Sequence, residues 1–315
     1  MRFSVEPWDP SHGAALEVED LGESTARVDA GVELPPARWH PLDPEPGAAA
    51  PAAVLFVDGV RRVDAHVWVH DPGEPTAAAP ALCASYAAGV VRCDGDGARL
   101  VAHDVRRGLF TAAAHAVDVT TPAGTYAAQH AARRPEVPAG QALGQAVQAR
   151  LAAVEIAVAT AARDGGDDLL VVDGPLRGRQ HLARALGYVK SHRSSYLPAG
   201  IGDVVAALAA GQRTPVFQVG TSWDRYSWYL RLPGPPGAPW AGVVRLECAP
   251  AAGPGAAVAA ARLSQVTLGR YASTAYKDAR APQNLYPIAG LERALRRRLG
   301  DPAVLHRALR VAAAR

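Results

Sequence analysis

Cysteine is scarce in this 315-residue chain, and the three present, Cys83, Cys93 and Cys248, share neither paired spacing nor a CxxC motif. That argues against a disulfide framework or a structural zinc site and fits a reducing compartment. Long hydrophobic runs are missing too: no stretch approaches the roughly 18 uncharged apolar residues that suit a bilayer. The opening residues Met1 to Pro10 hold no apolar signal core. These absences predict a soluble cytoplasmic protein with no membrane partner. A GxxxxGK[ST] loop is also absent, so the chain is not expected to hydrolyse ATP itself. Acidic and basic residues nearly balance, with a net charge of +3, so any basic surface must be local. The excess of alanine, glycine, proline and arginine matches a GC-rich coding bias and carries no functional reading.

What is present begins with proline. Residues 1–52 read as a proline-rich N-terminal arm ending in Pro44-Glu-Pro-Gly-Ala-Ala-Ala-Pro51, and a single domain is expected over 53–315. Val54 to Val57 predict a strand, Asp58-Gly59 a turn, and the alternation Val63, Ala65, Val67, Val69 a second strand, together a β-hairpin. Ala81 to Arg92 and Ala98 to Val105 extend it into an antiparallel meander, and 122–138 read as irregular. The spacing of Leu143, Val147, Leu151, Val154 and Val158 predicts a helix over 141–163 that carries Glu155. Leu169 to Val172 read as a strand, 180–186 as a helix and 187–190 as a strand, a βαβ-like unit. A helix at 201–210, strands at 216–219, 226–232 and 241–247, and helices from 256, at 289–299 and at 302–314 complete an α/β pattern.

Within this pattern two apolar runs end in the same tripeptide, Val57-Asp58-Gly59 and Val172-Asp173-Gly174, and Glu155 stands among alanines, valines and isoleucine. Carboxylates in apolar settings repel one another unless a cation gathers them, and a divalent metal is the simplest gatherer. Two hard cations roughly 3.5 to 4 Å apart, held by carboxylate oxygens, promote in-line attack of water on a phosphodiester.

The segments Phe56-Val-Asp58-Gly59, Glu155 eighteen positions before Asp173-Gly-Pro-Leu, Gly187-Tyr-Val-Lys190-Ser, Tyr229-Leu-Arg231-Leu, Val244-Arg245-Leu-Glu247 and Asn284-Leu-Tyr286-Pro287 follow one another in a fixed order. That order, over about 54–300, resembles the NurA nuclease family. The resemblance implies an RNase H-like, Piwi-related α/β fold, with a mixed sheet that begins in an antiparallel meander and is flanked by helices. It implies a manganese-dependent nuclease, with magnesium as the alternative ion, that resects DNA 5′ to 3′, cuts single strands and acts in double-strand break repair. Its implied partners are DNA, a hexameric HerA-type ATPase and a second copy of the chain in a homodimer.

By position, Asp58, Glu155 and Asp173 match the metal-binding acids and Tyr286 the active-site tyrosine. Where the family continues with an alanine-histidine pair, this chain reads Ile288-Ala-Gly-Leu291-Glu292-Arg293. Glu292 and Asp278 are the two candidates for the further oxygen ligand. Lys190, followed by Ser-His-Arg193-Ser-Ser, suits phosphate contact, and Arg231 and Arg245 are candidate contacts to the DNA backbone. Arg293, Arg296, Arg297 and Arg298 form a basic helical stretch, either a solvated face, a guide for DNA or a contact for the ATPase. Two other functions share these residues: a catalytically weak subunit that binds DNA or acts as a scaffold for an ATPase, and an RNase H-like enzyme acting on RNA or hybrid duplexes.

Overall fold

The computed structural model describes residues 8, 22–23, 26–70, 77–163, 167–192, 194–198, 200–234 and 237–314. In chain order the strands are β1 (Gly22–Glu23), β2 (Arg27–Asp29), β3 (Ala53–His70), β4 (Ala78–Asp94), β5 (Gly97–Thr111), β6 (Val119–Thr121) and β7 (Gly124–His130). They continue with β8 (Asp168–Asp173), β9 (Ala185–Val189), β10 (Ser194–Ser195), β11 (Phe217–Gly220), β12 (Asp224–Arg231) and β13 (Val243–Cys248). The helices are α1 (Ala139–Ala161), α2 (Asp203–Ala206), α3 (Gly253–Leu268), α4 (Tyr286–Arg298) and α5 (Pro302–Ala313). Eleven strands form one mixed sheet in the order β2-β11-β12-β13-β9-β8-β3-β4-β5-β7-β6, while β1 pairs β10 in parallel. The expected mixed α/β sheet with β3, β4 and β5 as consecutive neighbours is what forms.

The chain divides into two units, the first from Met1–Phe56, Arg92–Arg99 and Asp164–Ala289. It contains β8, whose Leu169 to Val172 are buried, as a run of apolar residues with no alternation requires. β8 runs parallel to β9, while β13, β12 and β11 follow antiparallel. Phe217, Val219, Tyr229 and Val243 pack with Leu197, Val205 and Leu208 as its core, and Val28 and Trp39 lie against them. Glu33 anchors the segment before β3: it accepts two hydrogen bonds from Arg213, at 2.7 and 2.8 Å, and one from the Val216 amide at 2.8 Å.

The second unit comprises Val57–Val91, Leu100–Arg163 and Gly290–Arg315. Buried aliphatic residues of α1 recur every three or four positions, and each contributes about 1.5–3 kcal/mol by leaving water. This helix alone among the described residues is long and apolar enough to cross a bilayer by composition, yet its buried stripe packs on β3. Asp64 lies buried on β3 and accepts hydrogen bonds from Arg62, Ser85 and Tyr126, which accounts for its charge without any ligand.

Four expectations need correction. Asp58-Gly59 is not a turn, and β3 runs unbroken through it. A Cβ on Gly59 would lie 2.6 Å from Glu155 Oε1 and 2.7 Å from Leu151 Cδ1, so the glycine lets α1 approach the strand. No helix forms at 180–186: Gly178 and Arg184 take left-handed φ values of 78° and 48°, which a right-handed helix cannot accommodate, and turns join β8 to β9. The region 122–138 is not irregular throughout, because β7 pairs parallel with β5 and is held by the buried Tyr126. The helix expected over 201–210 is only the single turn of α2.

Candidate metal centre

β8 delivers Asp173 at its last position, and Gly174, at a φ of 99°, turns the chain away immediately afterwards. In the parallel register Asp173 stands opposite Tyr188 of β9. Lys190, two residues beyond Tyr188, therefore points the same way as the tyrosine. Its Nζ donates to Asp173 Oδ2 at 2.7 Å and to Asn284 Oδ1 at 3.1 Å. The Asn284 amide in turn donates to Asp278 Oδ2 at 2.8 Å, and Asp278 Oδ1 accepts the Arg280 amide at 2.8 Å. Gln283 secures the neighbouring backbone: its carbonyl accepts the Tyr188 hydroxyl at 2.6 Å, and its side chain accepts the Trp8 indole at 3.0 Å. Asp278, Asn284, Lys190 and Asp173 thus form one hydrogen-bonded chain.

Within the second unit Asp58 and Glu292 each present a carboxylate oxygen, and these oxygens lie within 4.8 Å of one another. Oxygens on opposite sides of one hard cation, at about 2.0–2.6 Å from it, would be about 4–5 Å apart, so the donor set fits magnesium, manganese or calcium chemistry. Of the two candidates for the further ligand, Glu292 belongs to this group, while Asp278 holds Asn284 instead. Glu155 is not in the group; it is buried with its carboxylate against Gly59, the residue after Asp58.

Tyr286 opens α4 and shares a 2.7 Å hydrogen bond with Thr274, and the Lys277 ammonium lies 5.5 Å from its ring centroid. Arg193 lies outside the described residues. Arg231 donates to the carbonyls of Ala241, Ala206 and Pro239. Arg245 is buried, 2.7 Å from Glu247, and both it and Arg225 lie over the Tyr196 ring. Burial and the neighbouring Arg245 draw the Arg225 pKa down, against the pull of Glu247. Glu247 also accepts the Leu176 amide at 2.6 Å, crossing β9 where Gly187 has no Cβ to obstruct it.

Beside this network His192 is buried against Tyr229 and Trp240, and burial pushes its pKa down to about 4. Asn284 is the residue that reading for charged groups undervalued, since a neutral amide announces no chemistry. Its place in the Asn-Leu-Tyr-Pro segment was its one signal.

Fold and site together define a mixed α/β protein with a carboxylate cluster and an attendant lysine. No family model and no curated protein match the chain. Among solved structures it is similar to the NurA nuclease from Sulfolobus solfataricus, with a TM-score of 0.45 and 10% identity over 83% of this chain and 84% of that one.

Proposed function

We propose that this chain is a divalent-metal-dependent nuclease that hydrolyses DNA. The observation that carries this reading is the convergence of the Asp58 and Glu292 oxygens within 4.8 Å in the second unit; in the first, Asp173 is held by Lys190 at 2.7 Å. Carboxylates at that spacing repel one another and gain stability when a hard cation joins them. Bound divalent ions supply such sites with neutralisation of phosphoryl charge and a lowered pKa for water.

The chain's own groups have separable tasks. Asp58, Asp173 and Glu292 hold the ions, and Glu155 stands behind Asp58 as a further acid. Lys190 fixes one oxygen of Asp173 and brings a positive charge to the site for the phosphate. Tyr286, kept in place by Thr274, offers a hydroxyl. The resemblance to the NurA family carried by the sequence motifs extends the proposal to manganese as the preferred ion and to 5′ to 3′ resection with single-strand cutting in break repair. It extends it also to a homodimer working with a HerA-type ATPase in the cytoplasm, and the missing P-loop makes a partner the source of energy.

The test is cleavage of labelled single-stranded DNA, duplex DNA and RNA with manganese, magnesium or EDTA. Wild type is expected to cut DNA only with metal. Asp58→Asn, Asp173→Asn and Glu292→Gln should each cut more than about 100-fold more slowly, beyond the range for loss of a merely supporting residue. Equal cutting by wild type and the Asp173→Asn variant would refute the proposal. Cutting confined to RNA would move the assignment to a ribonuclease.

A further inference from the structure

Helix α4 carries Glu292 and four arginines, Arg293, Arg296, Arg297 and Arg298. Arginines in a last helical turn ordinarily answer the helix dipole and its unpaired carbonyls. Here that need is met by Arg298 and by two arginines outside the helix. Arg62 donates to the carbonyls of Gly300 and Leu299, Arg107 to that of Leu299, and Arg298 to that of Ala294. Arg296 pairs with Glu292 at 3.5 Å. Arg293 and Arg297 remain: both are exposed, and among the described residues neither side chain has an acidic partner.

These two stand four positions apart, where like charges on a helix destabilise it. The following helix offers no relief. Arg307 and Arg310 add further positive charge, and Asp301 uses its carboxylate to cap α5 through the amides of Ala303 and Val304. Over 290–314 six arginines face only Glu292 and Asp301. A row of exposed, unneutralised guanidiniums that begins beside a site carboxylate calls for an external polyanion.

We propose that Arg293 and Arg297 form a phosphate track that binds the backbone of single-stranded DNA flanking the bond to be cut, with Arg296 at its near end. The proposal rests on the nuclease reading for its choice of polyanion. Phosphate contacts position a strand without reading its sequence, and each removes condensed counterions, so binding should fall with salt.

The experiment is fluorescence anisotropy of a labelled single-stranded DNA oligonucleotide in EDTA across a salt series, which needs no cleavage. For Arg293→Gln with Arg297→Gln, the slope of log K against log salt should shrink by about 0.7 for each arginine removed. The double lysine variant keeps the charges and should retain the wild-type slope. Arg298→Gln, whose guanidinium serves Ala294, should also leave it unchanged. A double glutamine variant with the wild-type slope and affinity would overturn the track, as would a wild type that does not bind the oligonucleotide at low salt. Loss of the slope in a protein that cuts no DNA would instead preserve the track and refute the nuclease reading.

Discussion

Lys190 is restrained from two sides, and Asn284 supplies the side that is not a charge. Replacing Asn284 with alanine removes the 3.1 Å acceptor and leaves Asp278 without its amide donor. The expected result is a rise in the metal concentration needed for half-maximal cleavage, or a fall in turnover, of about 10–100-fold. A metal titration of cleavage measures it, and Asp278→Ala should shift the same parameter in the same direction. His192 provides a separate pH signature. Its folded pKa, depressed by burial to about 4 from the ordinary histidine value of 6.5, means the unfolded chain binds the proton more readily between those values. Stability is therefore complete above pH 6.5 and declines as pH falls towards 4, by up to about 3 kcal/mol. Urea unfolding at pH 7.5 and 5 should show that loss, and His192→Asn should reduce it.

At the scale of elements, the contact of β3 with α1 turns on one missing methyl group. Gly59→Ala should destabilise the fold by about 1–3 kcal/mol, because Leu151 Cδ1 and Glu155 Oε1 stand where the new carbon must go. Thermal unfolding checks it. Glu33 ties the proline-rich segment to the first unit: burial raises its pKa, but the Arg213 bond and charge and the Val216 amide outweigh that and hold it below normal. Its contribution is present above the ordinary carboxylate range and lost as pH falls through the lowered value. Glu33→Gln should cost about 2 kcal/mol in urea unfolding.

These elements also mark how far the sequence could be read. Period and apolar content made α1, α3, α4, α5, β8 and β11 to β13 legible, since each is decided by its own side chains. Asp58-Gly59 misled because Asp-Gly favours turns locally, whereas the close approach of Leu151 depends on a helix about ninety positions away. β7, short and rich in alanine, had weak local preference and follows from its sheet partners. Asp58, Glu155 and Asp173 could be named from their apolar settings and motif order, and Glu292 only as one of two candidates where the family histidine is absent. That Glu292 stands near Asp58 while Asp278 holds Asn284 required the fold.

For the whole molecule, the three free cysteines are all buried, and burial pushes Cys83 and Cys248 up to about 12 and Cys93 to about 11, helped by Asp64, Glu247 and Asp94 respectively. A thiol that is neither exposed nor ionised is inert. Ellman's reagent should therefore label none of the three promptly in the native protein and all of them in urea, and added reductant should leave activity unchanged. Prompt labelling of the native chain would show that these strands open readily.

Both units close with bonds between distant parts of the chain. In the first, Trp8 waits for Gln283; in the second, Arg62 waits for Gly300, 238 residues later. Neither bond can form until nearly all the intervening chain has been made and gathered, and ordering so long a loop costs entropy before any contact repays it. Refolding from urea is accordingly expected to be slow and to pass through partly structured states in which central strands are paired and these closures are absent. An emerging polypeptide faces the same delay, with its broad sheet edges uncovered in the meantime, so production of this protein should be sensitive to chaperone supply and to the pace of translation.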